Sequence, residues 1–161
     1  MKPQTNSRFL RQQQGMMLLE ALFGILLFSI GIIALVGMQT SAVKQSVESK
    51  YRSDASLLAV QLIGQLWGTD RQYNTLSSGY NSSNISGGNC NSTCSANFSA
   101  WLNEVKTSLP GASTNTPTTQ FTQVATSTSS AASTRVTITI FWQSPGADTT
   151  VHSYVAIAEI K

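Results

Sequence analysis

From Met16 to Val43 this chain runs for 28 residues with a single charge, Glu20. About 20 apolar residues, rising about 1.5 Å each, carry a helix across a bilayer, so the run predicts a membrane-spanning helix. Inside such a segment a carboxylate costs about 2.5–3.5 kcal/mol on insertion scales. Glu20 is therefore expected to be kept for a partner. It lies five residues after Gly15, which closes a leader containing Lys2, Arg8 and Arg11 and no acid.

The charge balance sharpens this division. Of ten Lys/Arg, three lie in the leader, and the seven that remain match seven Asp/Glu. Beyond Gly15 the side chains sum to zero, so the isoelectric point of about 9.1 belongs to the leader. Lys44, Lys50, Arg52, Arg71, Lys106 and Arg135 are interspersed with acids and form no basic stripe, so no direct nucleic-acid binding is expected. Three cations ahead of an apolar run hold the leader on the cytoplasmic side, which places the chain from about Lys44 outside the inner membrane. A secretory signal peptide would have an apolar region of about 7–15 residues and a small-residue cleavage site. Here the run is longer, and no A-x-A site follows it.

Helical character continues past the apolar run. Ala55, Leu58, Ala59, Leu62, Ile63, Leu66 and Trp67 recur at three- and four-residue steps, with Arg52, Gln61 and Gln65 opposite. That is one buried stripe, ended by Gly68-Thr69-Asp70. A single helix from Met16 to Trp67 would extend about 78 Å. Gly24, Gly31 and Gly37 interrupt the apolar half, where small residues permit close helix packing.

Thr69 to Ala96 is dense in Ser, Asn and Gly and reads as a loop. Cys90 and Cys94 lie within it, and outside the inner membrane a disulfide between them is the default. Zinc needs four ligands, and the only His is the distant His152; a redox pair would be C-x-x-C. Asn81, Asn84, Asn91 and Asn97 each begin an N-x-S/T sequon, read here as a product of polar composition. Phe98 to Lys106 predicts a short amphipathic helix stopped by Leu109-Pro110-Gly111. Ala112 to Thr119 reads as a polar linker, and Thr126 to Thr134 as a hairpin loop.

The C-terminal part alternates with period two. Val136, Ile138, Ile140 and Trp142 face one way, the mark of a half-buried strand. Ser144 to Asp148 is a turn, Thr150 to Lys161 the returning strand, and Gln120 to Ala125 a third. Three strands need a packing partner, and the Ala55–Trp67 stripe supplies one. The fold class is α+β: a long N-terminal helix packed on a small antiparallel sheet. No catalytic, cofactor or metal site is expected. A Ser–His–acid arrangement needs an oriented His, and His152 lies in an alternating strand.

Gly15-Met16-x-x-x-Glu20 with the apolar run directly behind it resembles the class III signal peptide of type IV prepilins. The resemblance implies cleavage after Gly15 by a prepilin peptidase and N-methyltransferase, methylation of the new Met16 amine, and docking of Glu20 on the amine of a neighbouring subunit. Met16 departs from the family's usual Phe but keeps the position apolar. The order of further pieces is similar to PilV-type minor pilins (type IV pilus modification proteins): Ser29 to Gln39, Ser53-Asp54-Ala55 ahead of the stripe, the cysteine pair leading into Trp101-Leu102 and Leu109-Pro110-Gly111, and Phe141-Trp142-Gln143 in the last hairpin.

That family implies a pilin-like fold and a low-abundance subunit that helps to initiate pilus assembly, supporting adhesion, twitching motility or DNA uptake. Implied partners are other minor pilins, the major pilin and the inner-membrane assembly platform, with inner-membrane lipid around the helix before assembly. The implied location is a Gram-negative envelope: a single pass in the inner membrane with a periplasmic C-terminal domain (residues 44–161), then the surface pilus. Two rivals share much of this sequence logic. One is a type II secretion pseudopilin; the other is an envelope protein that keeps residues 1–15 and never enters a filament.

Overall fold

The structure, a computed structural model, describes residues 9–124, 133–146 and 150–161, with side chains from residue 15 onward. The leader cations Lys2 and Arg8, the side chain of Arg11, most of the predicted 126–134 loop, and the second half of the Ser144–Asp148 turn lie outside that description. Helix α1 spans Phe9–Trp67 and passes through Gly24, Gly31 and Gly37 without a break. By packing, the chain divides into residues 1–45 and 46–161.

In the first unit every described side chain, from Gly15 to Gln45, is exposed. The second unit has one core. From α1 it takes Ala55, Leu58, Ala59, Leu62 and Leu66, all buried. Two members of the predicted stripe depart from it. Ile63 is half-buried, and Trp67 is 46% exposed because it lies on the same helix face as the exposed Leu57 and Val60. Gln65, expected on the outer side, is half-buried, and its Oε1 is enclosed without a hydrogen-bond partner among the described residues.

The segment expected to be a loop is ordered. It holds helix α2 (Tyr73–Tyr80), a 3₁₀ turn at Ser82–Asn84 and a small hairpin, β1 (Ile85–Ser86) with β2 (Asn89–Cys90). Helix α2 is polar, but it buries Leu76 and Tyr80, one turn apart on one face. The hairpin turns on Gly87 and Gly88, both at positive φ (57° and 79°), the conformation that two-residue hairpin loops demand.

Helix α3 runs Ala96–Ser108 and buries Phe98, Trp101, Leu102 and Val105, the face anticipated from sequence. Ser95 caps it, its Oγ accepting from the Phe98 N–H at 3.1 Å. The buried Trp101 Nε1–H donates to the Leu58 carbonyl of α1 at 2.8 Å. Leu109 ends the helix, and Gly111 follows at φ 75°. A Cβ at Gly111 would stand 2.8 Å from Gln143 Cβ, beside the Gln143 N–H that donates to the Pro110 carbonyl at 2.8 Å. Gly111→Ala therefore meets both left-handed backbone strain and a clash. It is expected to destabilise the domain by about 2–4 kcal/mol, read as a lowered unfolding midpoint.

The sheet is antiparallel in the order β3 (Thr118–Val124), β4 (Ser133–Trp142), β5 (His152–Ile160). β4 turns Val136, Ile138, Ile140 and Trp142 into the core, all essentially buried, as its alternation predicts. β3 adds Phe121 and β5 adds Ile160. The result is the expected α+β arrangement of pilin-like folds, with a long N-terminal helix and a three-stranded antiparallel sheet.

Candidate assembly site on the N-terminal helix

Gly15, Met16 and Glu20 all lie on α1 with exposed side chains. Met16 and Glu20 are four residues apart, so they project from one face, about 6 Å apart along the axis. Around Glu20 the helix presents Met17, Leu19, Phe23 and Leu27 outward, all more than half exposed. The most apolar 18 residues of α1 have a mean hydropathy of 2.6, and the helix is long and apolar enough to cross a membrane. Two of its hydroxyls are satisfied within the helix. Ser29 Oγ donates to the Ile25 carbonyl at 2.7 Å, and Thr40 Oγ1 donates to the Val36 carbonyl at 3.1 Å. Such back-bonding lets polar side chains sit in lipid without an unmet donor.

Farther along α1, inside the second unit, Leu57, Val60 and Trp67 are exposed with Gly64 between them. A Cβ at Gly64 would meet nothing within 4 Å, so the fold of this chain does not itself require glycine there. This outward apolar line escapes a reading that follows only the inward stripe; its own three- and four-residue spacing was the available signal.

A second feature was not visible in sequence. The Glu48 carboxylate gathers three residues from the far end of the chain. Trp142 Nε1–H donates to Oε1 at 3.1 Å and Ser144 Oγ–H to Oε2 at 2.8 Å. His152 Nδ1 stands 3.3 Å from Oε1, and its ring stacks on Trp142 at 5.8 Å between centroids. A serine, a histidine and an acid thus meet, but the hydroxyl is bonded to the carboxylate. A catalytic triad needs that hydroxyl on the imidazole, with the acid behind it. Here the carboxylate is the hub of a fastening between α1 and the last hairpin.

Cys90 and Cys94 form a disulfide, with Cα atoms 5.7 Å apart. Asn81, Asn84 and Asn91 serve the local backbone: Asn81 Oδ1 accepts from Ser83 N–H, Asn91 Oδ1 from Thr93 N–H, and Asn84 Nδ2 donates to the Ser78 carbonyl. Replacing both cysteines with Ser is expected to cost about 2 kcal/mol, the scale for so short a closed loop. The loss should appear as a lowered midpoint of thermal unfolding.

No family model, curated protein or solved structure matches this chain.

Proposed function

We propose that this chain is a minor type IV pilin of the PilV type, a low-abundance subunit that helps to start pilus assembly. One observation carries the reading. A lone carboxylate, Glu20, sits five residues after Gly15 on an unbroken helix whose side chains from Gly15 to Gln45 are all exposed and mostly apolar. An acid in that setting calls for a cation from outside the chain, and an amine created at Met16 by cleavage after Gly15 would supply one on each neighbouring subunit. The prepilin peptidase would make that cut and methylate the amine. Before assembly the helix would rest in inner-membrane lipid. On extraction it would pass from lipid to a bundle of like helices, exchanging one apolar surrounding for another. The outward line Leu57–Val60–Trp67 would extend that contact onto the domain. The partners on this reading are the other minor pilins, the major pilin and the inner-membrane assembly platform, with adhesion, twitching motility or DNA uptake as the outcome.

The test is the intact mass of the protein in sheared surface filaments and in the membrane fraction. The expected species begins at Met16, is one methyl group heavier than its bare sequence, and is present in filaments. Gly15→Val should retain residues 1–15. A wild-type protein that keeps those residues and stays in the membrane would overturn the reading and leave an anchored envelope protein.

A further inference from the structure

Asn81, Asn84, Asn91 and Asn97 each begin an N-x-S/T sequence, the pattern at which a sugar is joined to the Asn side chain on a protein surface. Polar composition accounts for their number. It does not account for how differently the fold treats them. Asn84 is half-buried, and its Nδ2, the atom a sugar would occupy, already donates to the Ser78 carbonyl at 2.6 Å. Asn81 is half-buried as well, its Oδ1 capping the 3₁₀ turn through the Ser83 N–H. Asn97 is exposed but lies in the first turn of α3, and the middle residue of its sequence, Phe98, is fully buried. A transferase reads its acceptor as an accessible tripeptide. Reaching Asn97 therefore means unwinding the start of α3 and drawing Phe98 out of the core.

Asn91-Ser92-Thr93 differs from the other three. All of its side chains are exposed, and it fills the loop closed by the Cys90–Cys94 disulfide. The loop is a turn in which the Cys94 N–H donates to the Asn91 carbonyl at 3.3 Å. Asn91 Oδ1 accepts from the Thr93 N–H at 2.9 Å, and among the described residues neither Asn91 Nδ2 nor the Thr93 hydroxyl makes a hydrogen bond. The nitrogen to be modified and the hydroxyl that marks the sequence are thus both open to an enzyme, with no core residue between them. We propose that Asn91 is a glycosylation site. In the transfer, Nδ2 bonds to the anomeric carbon of a sugar activated as its diphosphate. The anomeric C–O bond breaks, the diphosphate leaves with the electron pair, and one Nδ2 proton passes to a base of the transferase. The reaction requires this loop to meet the transferase outside the cytoplasm, and the disulfide around it is the chemistry of such an oxidising compartment. It does not require a filament.

The test is mass spectrometry of the full-length chain from its own cells, intact and after reduction and digestion. The expected result is a second species above the sugar-free chain, heavier by whole sugar residues, with the sugar mapped to the Asn91 side-chain nitrogen. Asn91→Gln should abolish that species. Thr93→Ala should abolish it too, although it keeps both Asn91 and the backbone N–H that Asn91 Oδ1 accepts from, and Thr93→Ser should restore it. Asn84→Gln and Asn97→Gln should leave it unchanged. A sugar on the Ser92 or Thr93 hydroxyl, which would survive Asn91→Gln, would overturn the inference. So would a sugar at Asn81, Asn84 or Asn97 in place of Asn91, or a wholly unmodified Asn91 peptide. Glycosylated Asn91 on a chain that retains residues 1–15 would keep the inference and remove the pilin reading; a methylated filament subunit bare at Asn91 would do the reverse.

Discussion

Glu20→Val and Glu20→Ala are expected to leave cleavage after Gly15 intact and to remove the chain from filaments. Cleavage should survive because the glycine, the basic leader and the apolar run are unchanged, and Val or Ala at position 20 only raises the hydropathy of the helix. Incorporation should fail because the proposed partner of Glu20, the amine of a neighbour's Met16, would be left as an uncompensated charge in apolar surroundings. On the general scale for removing one member of a desolvated pair, recovery in filaments falls about a hundredfold. Glu20→Gln separates charge from shape, since it keeps the length and loses the negative charge. It should behave like Glu20→Ala in filaments, with methylation of Met16 also reduced in all three. Normal recovery of these variants from sheared filaments, measured against the level in membranes, would refute the assembly role of Glu20.

The second large effect is in the core. Trp101 is 1% exposed, stacks on Phe98 with ring centroids 5.6 Å apart, and ties α3 to α1 through the Leu58 carbonyl. Trp101→Ala is expected to cost about 3–5 kcal/mol, against a total of about 5–15 kcal/mol for a typical domain. The thermal midpoint of the full chain in detergent should then drop by about 10–20 °C. Trp101→Phe, which keeps most of the bulk and gives up the N–H donor, should cost about 1 kcal/mol from the lost hydrogen bond plus a smaller packing term. Equal losses for Ala and Phe would show that the hydrogen bond, and not the packing, dominates this site.

The parts of the fold legible in sequence were those written in a single local period. The inward face of β4 is stated by Val136, Ile138, Ile140 and Trp142 at strict alternation, and the inward stripe of α1 by Ala55, Leu58, Ala59, Leu62 and Leu66. Trp67 shared the spacing, but it also shares a helix face with the exposed Leu57 and Val60, while its neighbour Leu66 is fully buried. Helix α2 escaped notice because Ser, Asn and Gly hold little intrinsic helicity. Tertiary burial of Leu76 and Tyr80 sustains it, and their four-residue separation was the one cue. The β1–β2 hairpin was signalled by Gly87-Gly88 but sat in a stretch too polar to suggest strands. Of the candidate site, the run, the glycine and the acid could be read directly. The Glu48 fastening could not, since Glu48, Trp142, Ser144 and His152 share no sequence period and meet only when the domain closes.

That fastening has a consequence for timing. Glu48 bonds Trp142 and Ser144 across sequence separations of 94 and 96, and His152 begins the final strand. A chain made from its N-terminus presents Glu48 long before any of these partners exist. Contacts of such span close late and slowly, so the domain is completed only once its last residues have been released from synthesis. Until then the hydrophobic stripe of α1 is exposed without its sheet. The interval is one in which a chaperone has to keep the half-made domain from its neighbours.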